Sequence, residues 1–164
     1  MMNFFVKSSV VAATLWLGTA YATTMPESLT SQVDQLSAMM LDQYAVEYKD
    51  ERQLVTLKDA KGDDYRLLMF FSLGHYSGGN NYSRFMAVFS PSYKYLDEGT
   101  KVGSAKYRFH GVAVVGGRHQ PTADTEQVHS ANGQIVVPLF DDQQPSKKVM
   151  AYFVVDQYGE LVRK

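Results

Sequence analysis

Cysteine is absent from all 164 residues. That absence excludes disulfides, thiol catalysis and a lipid-modified cysteine at any processing site. Charge of one sign is not in excess either, with 16 basic residues against 17 acidic ones. A chain so balanced lacks the basic surface that binders of nucleic acid or anionic membranes present, so neither class of partner is expected. Long apolar runs are missing too. The apolar run from Ser8 to Leu17 falls well short of the ~20 residues that a spanning helix needs. Phosphate-binding glycine loops, dinucleotide fingerprints, repeats, low-complexity tracts and linkers do not occur. The pentad Gly74-His75-Tyr76-Ser77-Gly78 places its serine fourth rather than third, and no strand-to-helix context follows, so it does not act as a nucleophile elbow.

What is present begins with an export signal. Lys7 supplies a positive start, Ser8 to Leu17 a short apolar core, and Ala20-Tyr21-Ala22 a small-x-small cleavage site, the three parts of a secretory signal peptide. Residues 1–22 are therefore expected to be removed and 23–164 to form one domain, periplasmic or secreted, with no transmembrane segment. Cleavage after Ala22 leaves 142 of the 164 residues and removes only Lys7 from the charged set, for a formal charge of −2. A domain of that size can bury about 68% of the surface its unfolded chain exposes. Neither a metal nor a cofactor is needed to hold it together, and none is expected.

Thr24-Met25-Pro26-Glu27 has the spacing of a capping box. After it, Leu29, Val33, Leu36, Met40 and Tyr44 recur every three or four residues, which predicts an amphipathic helix to about Gln43. The stretch Tyr65 to Phe89 then reads as two long strands around a Gly/Asn/Tyr-rich reversal. Period-two alternation puts Tyr65, Leu67, Met69, Phe71 and Leu73 on one face and Leu68 and Phe70 on the other. In the second strand Phe85, Ala87 and Phe89 oppose Met86 and Val88. Further strands are expected at 44–48, 53–58, 105–115, 134–140 and 147–155. Within them, Gly111 suggests a bulge or a close backbone approach, and Pro138 an edge or a bulge. Segments 90–101 and 116–133 read as loops.

The fold class expected is α+β: one N-terminal amphipathic helix packed on an antiparallel sheet of about six strands, curling toward a barrel. One helix cannot cover two faces, yet several strands are apolar on both. A second covering layer is required, supplied by closure of the sheet, a ligand or another chain, and a homodimer is one way to supply it.

The residues suited to recognition lie in two loops. The hairpin tip offers His75, Tyr76, Asn80, Asn81 and Tyr82, and the next loop offers Tyr93 and Tyr95. Tyrosine provides large amphipathic contact area at low entropic cost, and asparagine adapts its hydrogen bonds. These residues point to a non-enzymatic exported protein that binds another protein or a glycan, such as an inhibitor or immunity protein acting on a secreted or envelope protein. A carrier of a small apolar ligand, lined by Leu67, Met69, Phe71, Phe85 and Phe89, is the second expectation. A metal-dependent hydrolase using His119, Asp124, Glu126 and His129 is the third. The spacing of those four matches no metal-site pattern, so a solvated loop is expected there and no metal ligand is assigned.

Overall fold

The computed structural model describes residues 25–77, 81–92, 94–95, 101–102, 106–141 and 144–164, with 94, 95, 101, 102, 145 and 146 described by their backbone alone. The helix α1 (Glu27–Met40) comes first, followed by β1 (Val46–Glu47), β2 (Gln53–Lys58), β3 (Asp64–Gly74), β4 (Tyr82–Pro91), β5 (Lys94–Tyr95) and β6 (Lys101–Val102). Then come β7 (Tyr107–Gly117), β8 (Thr122–Ala123), β9 (His129–Ala131), β10 (Gln134–Asp141), β11 (Gln144–Val155) and β12 (Leu161–Arg163).

These strands form two main antiparallel sheets rather than one sheet of six. In the first, β3 and β4 are central, with β7 on one side and β1 and β2 along the other. In the second, the order is β12-β11-β10, with β8 and β9 sharing the far edge of β10. The sheets face each other and curl together through β7, which also approaches β8 and β12. The burial mismatch in the sequence is thereby resolved within the chain. Leu67, Met69, Phe71, Leu73, Phe85, Ala87 and Phe89 pack under Leu29 and Val33 of α1. Leu68, Phe70, Met86 and Val88 on the opposite face pack against Ile135, Val137, Leu139, Ala151 and Phe153 of the second sheet. No ligand or second copy is needed to cover β3 and β4, so the burial argument for a homodimer no longer applies.

The helix is shorter than its stripe predicted. It ends at Met40, its N-cap is Pro26 with no side-chain capping bond, and Thr24 lies outside the described residues. Ser37 is buried on the apolar stripe because its hydroxyl donates to Glu47 Oε2 at 2.6 Å. Arg52 completes the attachment, with Nε to Glu47 Oε1 at 2.6 Å, Nη2 to Glu47 Oε2 at 2.9 Å and Nη2 to Asp34 Oδ1 at 2.7 Å. The Arg52 guanidinium holds the Asp34 carboxyl below its usual range, and Glu47 in turn raises Arg52.

Departures from strict alternation trace to bulges. Tyr65 is the extra residue where Leu57 pairs with Arg66 and Lys58 with Asp64. It leaves the helix-side face expected for it, and its hydroxyl donates to Ser130 Oγ of the second sheet at 2.6 Å. On β7, His110 and Val115 are extra residues opposite β4, so His110, Ala113 and Val115 face the second sheet while Phe109, Val112 and Val114 remain exposed on the other face. Gly111 is both at a bulge and at a close approach, since a Cβ there would lie 2.9 Å from Leu161 Cβ. Pro138 is neither at an outer edge nor at a bulge. It pairs with Met150 on one side, and on the other it falls between the short partners β8 and β9. There its carbonyl accepts from the Asp124 N–H at 2.9 Å and no ladder bond needs the missing proline N–H. Both stretches read as loops contain short strands: β5 pairs with β6, and β8 and β9 pair with β10.

His110 joins the two sheets. Its Nδ1–H donates to the Gly159 carbonyl at 2.7 Å, leaving Nε2 to accept from the Ser90 hydroxyl at 2.7 Å. Burial pushes its pKa below the ordinary 6.5, and the Arg66 and Arg108 charges reinforce the shift against the opposing bond to Gly159. The folded state thus binds fewer protons than the unfolded chain. Its contribution is complete above about pH 6.5 and declines as the pH falls from there toward the lowered folded value. Urea unfolding at several pH values should show a steeper loss on acidification in the native chain than in His110→Gln. Equal slopes would remove His110 as the source.

Candidate functional site: the β3–β4 tip and the β7–β8 turn

At the far end of the central hairpin, β3 and β4 close through the Gly74–Tyr82 pair, and His75 N–H donates to the Asn81 carbonyl at 2.9 Å. The next strand pair brings a second turn alongside. Ser83 lies opposite Gly117 on β7, and the chain reverses at once through Gly117-Arg118-His119-Gln120, with Gln120 N–H donating to the Gly117 carbonyl at 3.1 Å. His119 takes φ 60° in this reversal, a left-handed conformation that costs a non-glycine residue roughly 1–2 kcal/mol. Gly117 has to be small, because a Cβ there would lie 2.8 Å from the Tyr82 carbonyl oxygen. The two turns enclose an open cleft of about 290 Å³ lined by His75, Ser77, Asn81, Tyr82, Ser83, Gly117, Arg118 and Gln120.

Hydrogen bonds tie the lining together across the turns. Asn81 Nδ2 donates to Ser77 Oγ at 3.2 Å, which leaves Asn81 Oδ1 to accept from Arg118 Nη1 at 3.1 Å. The Arg118 backbone N–H donates to the Tyr82 carbonyl at 3.2 Å. His75 Nε2 and Ser83 Oγ are 3.0 Å apart, and the His75 ring packs edge-on to Tyr44 with centroids 4.9 Å apart. Tyr44 in turn packs on Phe85 of the helix-side core, so the cleft wall is continuous with the interior. Tyr76 stands outside this network, exposed, its hydroxyl 3.3 Å from the Leu41 carbonyl that accepts from it.

Of the residues expected to recognise a partner, His75, Asn81 and Tyr82 line the cleft and Tyr76 flanks the tip. Asn80 and Tyr93 lie outside the described residues, and of Tyr95 only the backbone is described, in β5. Sequence reasoning missed Ser83, Gly117, Arg118 and Gln120. Ser83 follows Tyr82 on β4, whereas Gly117, Arg118 and Gln120 reach the tip through pairing between segments more than 30 residues apart, and their one local signal was the Gly116-Gly117 pair ahead of an arginine.

The segment 119–129 has a structural use for its polar groups. Asp124 caps the 3-10 turn Thr125–Gln127 by accepting from the Glu126 N–H at 3.0 Å, and its second oxygen accepts from Gln127 Nε2 at 2.7 Å. His129 Nδ1 sits 2.9 Å from the Gln127 carbonyl. Among the described residues no three histidine or acidic side chains are placed to hold a metal ion, and no helix is long and apolar enough to cross a membrane.

No family model matches the chain, and neither a curated protein nor a solved structure matches it.

Proposed function

We propose that the chain is an exported, non-enzymatic binding protein that engages another secreted or envelope protein through the β3–β4 tip and the adjoining β7–β8 turn. An inhibitor or immunity protein would act in this way. The observation that carries the reading is the cleft itself: two turns far apart in sequence converge on it, and their polar side chains hydrogen-bond one another across its open rim. A network ordered before contact lowers the entropic cost of association. The export half of the reading rests on the leader-like residues 1–22.

Two other functions draw less support. The five side chains proposed to line an apolar carrier are at most 4% exposed and lie beneath Leu29 and Val33, so a guest there would have to lift α1. The hydrolase reading relies on His119, Asp124, Glu126 and His129, of which Asp124 is already occupied by its own turn.

Simultaneous replacement of Tyr76, Asn81, Tyr82 and Arg118 by alanine should reduce capture of a partner from envelope extract at least tenfold. Arginine and tyrosine anchors each typically contribute about 1–2 kcal/mol or more when truncated. Undiminished capture by the variant, with native circular dichroism, would move the binding surface elsewhere.

A further inference from the structure

We infer that the cleft takes a carboxylate group from an acidic peptide segment, gripped by the Arg118 guanidinium. The inference rests on the binding role proposed above and names the chemistry of the partner.

The cleft is small, polar and positive in a chain with a net formal charge of −1. Among the described residues its lining contains no aspartate or glutamate and one permanent cation, Arg118. Among the described residues Arg118 makes no ion pair; its side chain is held instead by the neutral carbonyl of Asn81. That single bond orients the guanidinium through Nη1 and leaves the fork's other N–H groups for a ligand. Arginine's planar fork matches a carboxylate in two parallel charge-assisted bonds, which a neutral acceptor cannot reproduce.

The neighbours add donors. Ser77 Oγ accepts from Asn81, so its own proton can be given to a ligand, and Gln120 brings an amide. A carboxylate accepts only, and it suits a wall rich in donors. A neutral sugar presents hydroxyls that both donate and accept, and it would leave the charge unused. Size points the same way. A volume of about 290 Å³ is at the bottom of the range for sites that enclose a whole drug-sized ligand, but it accommodates a Glu or Asp side chain with its flanking backbone. The Asn81–Ser77 bond fixes which amide atom faces Arg118, making Asn81 a positioning residue for the guanidinium.

The test is a titration of the ¹⁵N-labelled chain, followed by NMR, with blocked tetraglutamate, blocked tetraglutamine and maltotetraose as probes. Tetraglutamate should give saturable shifts centred on Arg118, Asn81 and Gln120, and it should bind at least about tenfold more tightly than tetraglutamine, the equivalent of one charge-assisted pair. Raising the salt should weaken it severalfold, as screening of an exposed pair requires. Arg118→Gln should abolish the preference and Arg118→Lys should retain part of it. Asn81→Ala should weaken tetraglutamate while sparing tetraglutamine.

Equal binding of tetraglutamate and tetraglutamine, tighter binding of the sugar, or no binding of tetraglutamate would overturn the inference. So would an unchanged preference in folded Arg118→Gln. If that variant does not fold, the probe comparison on the unaltered chain decides. Loss of partner capture in the tip variant, combined with no preference for tetraglutamate, would refute the acidic class and leave the binding role standing. Capture that survives the tip substitutions would remove both.

Discussion

Arg52→Ala should lower the unfolding free energy by about 3–5 kcal/mol, because it leaves the Glu47 carboxylate buried without its partner. The Glu47 side chain is 5% exposed and the Arg52 side chain 9%, so water cannot easily replace the lost bonds. In a domain of this size such a loss corresponds to a melting temperature lower by about 10 °C or more. The pair joins three parts of the chain: Asp34 and Ser37 on α1, Glu47 on β1, and Arg52 just ahead of β2. Arg52→Lys should lose less, since it keeps the charge but not the fork that meets both carboxylate oxygens. Replacing Glu47 and Arg52 together by Leu and Met should cost less than Arg52→Ala alone, since neither change then strands a charge. Urea unfolding of the four chains checks the order. A loss below 1 kcal/mol in Arg52→Ala would mean that Leu29 and Val33 hold the helix without help from the pair.

Phe70→Ala and Phe71→Ala should each cost about 3–5 kcal/mol, the range for truncating a fully buried phenylalanine. These neighbours are both 0% exposed but serve different cores, Phe70 between the sheets and Phe71 beneath the helix, stacked on Phe85 at 5.5 Å. The two losses are therefore expected to differ in place while matching in size. Hydrogen exchange should show loosening of β10 and β11 in Phe70→Ala, and of α1 in Phe71→Ala. A variant that lost stability yet loosened the opposite layer would contradict the three-layer arrangement. A single-layer sheet with one solvated face would predict a large effect from only one of the two substitutions.

The central hairpin was legible because its information is local. Leu67, Met69, Phe71 and Leu73 alternate with Leu68 and Phe70 without interruption, and the structure places the two sets in the two cores. The same rule failed at Tyr65 and on β7 around His110, where strict alternation would put Phe109 on the face of Ala113 and Val115 although it lies on the other. Tyr65, His110 and Val115 each occupy a bulge, and one inserted residue reverses the facing of those beyond it. Nothing in the sequence of β7 announces how β4 will count its residues, although Gly111 marked one of the two places. Pro138 misled for a related reason. Its missing N–H is harmless where two short strands leave a gap, and gaps belong to the assembled sheet.

The candidate site divides along the same line. His75, Asn81 and Tyr82 could be singled out because glycine, asparagine and tyrosine cluster around a reversal. Arg118, the group that gives the cleft its charge, could not, because it arrives through the pairing of β4 with β7. By itself the sequence determined that the chain has no thiol chemistry and contains strands needing cover on both faces. Those properties follow from composition and from periods of two to four residues. Only the tertiary structure decided that the cover is the chain's own second sheet and that two distant turns share one cleft, because strand pairing and sheet packing depend on register between segments that local patterns leave independent.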